Sequence, residues 1–318
     1  MTTYIIRRLI QGIIIVVLVT VIVFLLMRLL PGDPLAVYLS QGELQNMTAE
    51  DLQALRHRFG LDKPIFIQYY DWMKGIVRGD LGTSILLRQK ITPLIKERMP
   101  ITAYLGSMAF VIGSILGISF GVICALRRGT WIDTVVTLLA NMGITVPAFW
   151  VGILLIYFLS LQLKWLPVSG YTSPFDDFWL STRQVIMPVF CLAIGPIAGL
   201  ARLTRSCMLE VLQQDYIRTA WAKGLRERII VMRHQLKNAL IPVVTMLGMQ
   251  VGVIFGGSVL IETVFNIPGL GRLITNAVFE QDYQIVQAGV LIMAMVVILS
   301  NLVVDIAYGW VDPRIRYT

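Results

Sequence analysis

Metal and nucleophile chemistry needs histidine, cysteine or carboxylate groups at close spacing, and this chain sets them far apart. Its two histidines, His57 and His234, are separated by more than half the sequence. No His-Glu-x-x-His motif or Cys/His cluster occurs, so neither a metal site nor a catalytic zinc is expected. Cys124, Cys191 and Cys207 have no Cys-x-x-Cys spacing and fall in or beside apolar blocks, which reads as packed thiols. The dipeptide Gly-Lys is absent, and with it any Walker A loop to cradle ATP phosphates. No catalytic residue is assigned, and the chain reads as a non-enzyme without a cofactor of its own.

What the sequence does concentrate is basic charge. Arg218 to Pro242 holds six Lys/Arg and one Glu in a chain where 14% of residues are charged and 56% are hydrophobic. That apolar fraction exceeds the roughly 45–50% of soluble domains, so the chain reads as an integral membrane protein. The net charge of +8 sits between apolar blocks, which points to orientation in a bilayer rather than to nucleic acid.

A bilayer core of ~30 Å needs about 20 helical residues. Six segments qualify: roughly 9–30, 100–126, 133–161, 185–205, 239–261 and 284–308. The first is too long for a signal h-region and lacks a small-residue cleavage site, so it reads as a retained span. Pro188 and Pro196 make the fourth the weakest. Arg7, Arg8, Arg127, Arg128, the eight Lys/Arg of 202–238, Arg314 and Arg316 then share one side, which predicts both termini in the cytoplasm.

The long connection 31–99 carries nine Lys/Arg and eight acidic residues, and loops of this length cross regardless of charge. Thr48-Ala-Glu-Asp51 reads as a helix start, with Leu52, Leu55 and Phe59 at helical spacing and Gly60 as a stop. A second short helix is expected after Pro64, with Tyr69, Trp72 and Met73 on one face. Together they predict a small extracytoplasmic cap.

Arg28, Asp133, Glu262 and Asp305 all fall near span ends, where side chains reach the interface. A proton- or sodium-coupled carrier usually needs a buried relay residue, so self-powered transport is disfavoured. Asn141, Gln250, Gln287 and Asn301 lie within spans. They read as interhelical hydrogen-bonding groups or, for Asn141, Gln250 and Gln287, as polar residues lining a path.

In the basic segment Ile217, Trp221, Leu225, Ile229, Met232, Leu236 and Leu240 recur every three or four residues, one face of a helix. Gly224 interrupts it, which predicts that one short helix ends, the chain turns, and a second helix leads into the membrane. A juxtamembrane helix on lipid headgroups is the plainer reading; the glycine favours docking to a cytoplasmic partner.

At these residues the sequence resembles a known family. Asp215-Tyr-Ile-Arg-Thr-Ala-Trp-Ala-Lys-Gly-Leu225 with Asn238-Ala-Leu-Ile-Pro242 resembles the EAA loop of ABC-importer permeases, Ala220 and Gly224 matching its Ala-x-x-x-Gly spacing. Arg218 and Thr219 in place of the generic Glu-Ala resemble the B-type permease subunit of the dipeptide/oligopeptide/nickel branch. The motifs at 30–34, 59–64, 79–84, 187–188, 202–211, 262–271 and 312–316 agree in order along the chain.

The resemblance implies an all-α, type I ABC-importer permease fold with about six transmembrane helices in a bacterial cytoplasmic (inner) membrane. Residues 1–98 would form the first span and cap, 99–309 the permease core with a cytoplasmic loop 206–238, and 310–318 a tail. It implies a coupling helix carrying Asp215, Tyr216, Arg218, Thr219, Ala220, Lys223, Gly224 and Leu225. Glu262, Phe265, Pro268, Gly269 and Gly271 would form either a periplasmic gate and binding-protein contact or a structural connection. The implied partners are a second homologous permease in a heterodimer, two ATPase subunits that bind ATP and Mg, a periplasmic or lipid-anchored substrate-binding protein, and membrane lipid, but no nucleic acid. Di- or oligopeptides are the expected cargo; glutathione or nickel, or a self-sufficient carrier, are the alternatives.

Overall fold

The computed structural model describes residues 2–29, 49–58, 60–84 and 86–311. The motifs at 30–34 and 312–316, the Thr48 cap, Phe59 and the side chains of Leu52, Leu55 and Asp305 lie outside the described residues.

Described secondary structure is helical apart from one antiparallel bridge, Thr83 to Lys90. In chain order the helices are α1 (Thr2–Leu29), α2 (Ala49–Arg58), α3 (Ile65–Val77), α4 (Ile91–Leu126), α5 (Trp131–Thr145), α6 (Ala148–Gln162), α7 (Phe178–Leu212), α8 (Asp215–Ala222), α9 (Glu227–Val264), α10 (Leu270–Phe279) and α11 (Tyr283–Val311). Five are long and apolar enough to cross a membrane: α1, α4, α7, α9 and α11. The expected third span is not a straight helix. It is the pair α5 and α6, bent by 103°, and counting that pair as one span restores six. Pro147 causes the break, because a proline disfavours helical backbone at the residue before it. Val146 is accordingly extended (φ −81°, ψ 128°), and Pro147 caps the N-terminus of α6.

The chain divides into two compact units. One comprises Met1–Leu9, Thr102–Ile267 and Val296–Thr318; the other comprises Ile10–Ile101 and Pro268–Met295.

In the first unit α7 is the most buried span, although it was the weakest by sequence. It runs unbroken through Pro188 and Pro196, and Asp177 caps it by accepting a hydrogen bond from the Leu180 N–H (2.9 Å). Its neighbours explain this. Gly113, Gly117 and Gly121 of α4 present bare backbone every fourth residue, one stripe of a helix. A Cβ on Gly113 would stand 3.0 Å from Pro196, on Gly117 2.7 Å from Leu200, and on Gly121 2.5 Å from Thr204. Gly143 of α5 likewise receives Ile194 and Ala198, while Gly199 of α7 receives Met246 of α9. Close backbone approach is what small residues provide in membrane helix packing.

In the second unit α3 packs on the outer half of α1. The Phe24 ring meets Tyr69 edge-on (5.3 Å) and stacks on Trp72 (6.0 Å). Thr20 Oγ1 lies 3.0 Å from the Tyr69 hydroxyl, and Arg28 donates to Gln68 Oε1 at 2.7 Å. The expected helix after Pro64 is present, with Tyr69 and Trp72 facing α1. The Gly79–Ser84 motif is a turn built on two glycines with positive φ, Gly79 (78°) and Gly82 (90°). Asp80 accepts from the Gly82 N–H, and Ser84 Oγ donates to Asp282 ahead of α11. Met27, Ile91, Ile95, Leu270, Ile274 and Val286 form the apolar centre of this unit.

Candidate functional site

The segment following α7 is built from its helix ends. Gln213 and Gln214 turn the chain after α7 by donating to Glu210 and Val211 carbonyls. The eight-residue α8 follows and ends at Ala222, with Lys223 as its cap. Gly224 adopts φ +70°, its N–H donates to Trp221 O (2.9 Å), and the Leu225 N–H reaches back to Ala220 O (3.3 Å). That pair of bonds is a Schellman ending. It gives the Ala-x-x-x-Gly spacing a physical meaning: Ala220 is the buried last-turn residue whose carbonyl receives the returning chain. Gly224 supplies the left-handed residue that lets it return. Arg226, extended at φ −61° and ψ 138°, opens α9.

Ile217 and Ala220 of α8 pack with Ile230 of α9 against Val211 and Leu212 of α7. Gln235, fully buried, donates Nε2 to Met208 O on α7 (2.9 Å), and Asn238 Nδ2 reaches the Tyr216 hydroxyl (3.1 Å). The short helix is thereby fixed to the C-terminal end of α7 and the N-terminal part of α9. The Gly224 turn divides the apolar series at 217–240 as expected, but the buried set differs from the spacing. Trp221, Leu225, Ile229 and Met232 are exposed, and Ile230 takes the buried place instead. Asp215, Tyr216, Arg218, Thr219, Lys223, Gly224 and Leu225 are all exposed; Ala220 is buried. The Asp215–Arg218 pair (3.7 Å) is solvent-exposed, so it contributes little.

Asp133 lies in the first turn of α5, near a span end as expected, but its carboxylate is engaged within the protein. It is buried on α5 and held by Arg205 of α7 through two hydrogen bonds, Nε at 2.7 Å and Nη2 at 2.9 Å. The Gly129 N–H and Thr137 hydroxyl also donate to it. This pair, 72 residues apart in sequence, fastens α5 to the part of α7 that leads into α8. No local sequence pattern announces it; opposite charges at neighbouring span ends were the available signal.

Glu262 and Phe265 lie in the first unit. Glu262, near the end of α9, is fully buried, accepts a hydrogen bond from Thr102 (2.6 Å) and returns its carbonyl to the Ile267 N–H. Phe265 is buried against Gly152 of α6, and its carbonyl receives the Gly170 N–H. Pro268, Gly269 and Gly271 lie in the second unit. Pro268 O accepts from Arg98 (3.2 Å), Gly269 caps α10 in an extended conformation, and Gly271 is buried in its first turn. Asn266, at φ +54°, makes the tight turn here.

Of the polar span residues, Asn141 is exposed on α5, and Gln250 is buried with Nε2 near Gly199. Gln287 is buried in the second unit. In the cap, the His57 hydrogen bond holds the Asp62 carboxyl below its usual range, and the Asp71 hydrogen bond raises Lys63. Gly117-Ile-Ser-Phe-Gly121 spells the Gly-x-Ser-x-Gly spacing of a hydrolase elbow. It lies inside α4 rather than at a strand-to-helix turn, and its glycines serve the contact with α7.

The chain belongs to the family of binding-protein-dependent transport system inner membrane components: that family's model matches residues 117–317, and its N-terminal companion matches residues 1–106. It is therefore a multi-pass bacterial inner-membrane permease. It is 39% identical, over the whole of both chains, to the probable peptide ABC transporter permease protein y4tP of Sinorhizobium fredii. A putative peptide transport system permease protein of Brucella abortus (42%) and the oligopeptide transport system permease protein AppB of Bacillus subtilis (39%) match over equal extents. In fold it is similar to the MetNI methionine ABC transporter in inward-facing form, with TM-score 0.54 and 18% identity over 69% of this chain and 96% of that one. An amino acid ABC transporter gives 0.52 and 18% over 70% and 94%.

Proposed function

We propose that this permease forms half of the translocation path of an ATP-driven importer of di- or oligopeptides. A second homologous permease completes the path, two ATPase subunits bind ATP and Mg, and a substrate-binding protein delivers cargo from the far side. The peptide assignment is supported by the names of full-length relatives at 39–42% identity.

The observation that carries the mechanism is α8. Its inner face is locked to α7 and α9 through Ile217, Ala220 and Ile230, while Arg218, Thr219, Lys223 and Leu225 are open to an ATPase. Force applied to α8 passes into both long helices, because Gln235 ties α9 to Met208 and Arg205 ties α7 to α5. ATP binding would close the ATPase pair, displace α8 and rock the spans between inward- and outward-facing states. Glu262 and Phe265 in the first unit, and separately Pro268, Gly269 and Gly271 in the second, are the proposed gate or binding-protein contacts, and Asn141 and Gln250 the proposed path residues.

A Cβ on Gly224 meets nothing within 4 Å in this chain, so a large side chain there strains the backbone and projects at the partner. Gly224→Trp, assembled with its ATPases in vesicles, is expected to insert normally yet lower labelled dipeptide uptake at least tenfold while ATP hydrolysis continues. Wild-type uptake by this variant would refute α8 as the coupling element. A screen of peptides, glutathione and nickel on the cognate binding protein tests the cargo separately.

A further inference from the structure

The second unit contains a half-open cavity of about 350 Å³ lined by the last turn of α1, α3, the Gly79–Gly82 turn and the start of α11. Its lining is unusual in what is left unbonded. Arg28 Nε, Trp72 Nε1, Gln287 Nε2 and Gln284 Oε1 are all buried atoms without a hydrogen-bond partner among the described residues, and Gln287 is only 3% exposed. Buried polar atoms in folded proteins are almost always partnered by protein or water, so four around one cavity mark a place where a polar ligand can supply the partners.

The chemistry of that ligand follows from the donors. Arg28, Trp72 and Gln287 each offer an unfilled N–H, and the Gln284 amide can present either end by a flip. The other charged groups of the lining are already paired: Lys63 with Asp71 at 2.7 Å, His57 with Asp62 at 2.7 Å, and Asp80 with the Gly82 N–H. The Arg28 guanidinium, in contrast, meets neutral partners among the described residues. Gln68 accepts from Nη2, and the rings of Phe24 and Tyr283 lie 5.0 and 6.0 Å from its centre. A cation fixed by an amide and two aromatic faces, with Nε unused, is set to receive a planar or tetrahedral oxyanion.

We propose that this cavity is an oxyanion site, in which Arg28, Trp72 and Gln287 bind a carboxylate or phosphate group of a small ligand or of a lipid headgroup. The proposal does not rest on the cargo being a peptide, and it lies apart from the α8 segment.

The test uses the assembled importer in nanodiscs of a neutral diglucosyl diacylglycerol, which carries no phosphate, reading tryptophan emission during titration with alanyl-alanine, alanyl-alaninamide and inorganic phosphate. Trp72→Phe identifies the responding residue among the seven tryptophans. A saturable change with alanyl-alanine or phosphate, weakened at least tenfold by Arg28→Gln and absent with the amide, which lacks a carboxylate, is the expected result for a soluble ligand. If the occupant is a headgroup, discs containing phosphatidylglycerol show the Arg28-dependent change before any addition, and soluble anions add nothing. No saturable change in either disc, or an equal change in Arg28→Gln, overturns the proposal. Should Arg28→Gln fail to assemble, Gln287→Leu decides: it removes one donor and keeps the Arg28–Gln68 bond. Several-fold weaker binding is expected, and unchanged affinity rejects the site.

Discussion

Two stretches of the first unit contain prolines in apolar surroundings, and they fold oppositely. At Pro147 the chain breaks, and α5 and α6 part by 103°. At Pro188 and Pro196 it does not break, and α7 runs on for 35 residues. A proline inside a helix removes one backbone donor and clashes with the carbonyl four residues back, in either stretch. The difference lies in the surroundings. Met187 to Val189, Cys191 to Ala193, and Pro196 are buried, with glycine backbones of α4 and α5 pressed against the α7 backbone. Around Pro147 most side chains are exposed, including Met142, Ile144, Phe149 and Trp150. Neighbours hold one helix straight; at the other, local backbone preference decides.

The sharpest way to break this comparison is to remove the support of α7. Gly121→Leu places a Cβ 2.5 Å from Thr204 Cβ and 2.6 Å from Ala201 O, both on a packed helix that cannot retreat. Its cost is expected at or beyond the ~3 kcal/mol upper end of ordinary overpacking, read as a large drop in the unfolding temperature of the detergent-solubilised chain. Gly195→Ala is the control within α7 itself. Nothing lies within 4 Å of its Cβ position and its φ is helical, so a gain of about 0.5–1 kcal/mol is expected. Equal behaviour of the two variants would show that the glycine stripe is not what supports α7.

The same contrast explains what could be read from sequence. Five long helices were legible because each needs only an apolar run of sufficient length. The break at Gly224 and the helix after Pro64 were legible because their causes are local. Pro147 was as visible as Pro188, yet a hydropathy window averages over it, and only packing separates the two outcomes. The partners of Asp133 and Glu262 were hidden for a related reason: proximity to a span end says nothing of a residue 72 or 160 positions away. Which of the 217–240 residues are buried was also hidden, because helical spacing continues in sequence across the turn at Gly224.

A smaller effect should come from Asp133→Asn, which weakens the tie between bent α5 and straight α7. Loss of the charge from a bidentate, nearly buried pair is expected to destabilise by about 1.5–3 kcal/mol. Adding Arg205→Gln should restore part of this, since the uncompensated cation then disappears. Thermal unfolding of both single variants and the double variant measures the coupling. Strictly additive losses would mean that the two side chains do not act as a pair.

The smallest change in stability, and the most direct test of the comparison, is proline removal at each site. Pro196→Ala restores an N–H to a helix that is already continuous, and loses some packing against Gly113. The balance should stay within about 1 kcal/mol with no change of shape. Pro147→Ala removes the restriction on Val146, so helical backbone becomes accessible across the break. At 1.5 Å per residue each arm is about 22 Å long, so straightening moves the far ends from about 28 Å towards about 45 Å. Spin labels replacing the exposed Trp131 and Leu161 report that distance. A longer component in Pro147→Ala and none in Pro196→Ala is expected. An unchanged distance in Pro147→Ala would mean that Phe265 seated on Gly152 of α6 holds the bend. In that case both stretches would be shaped by packing, and local backbone preference would decide neither.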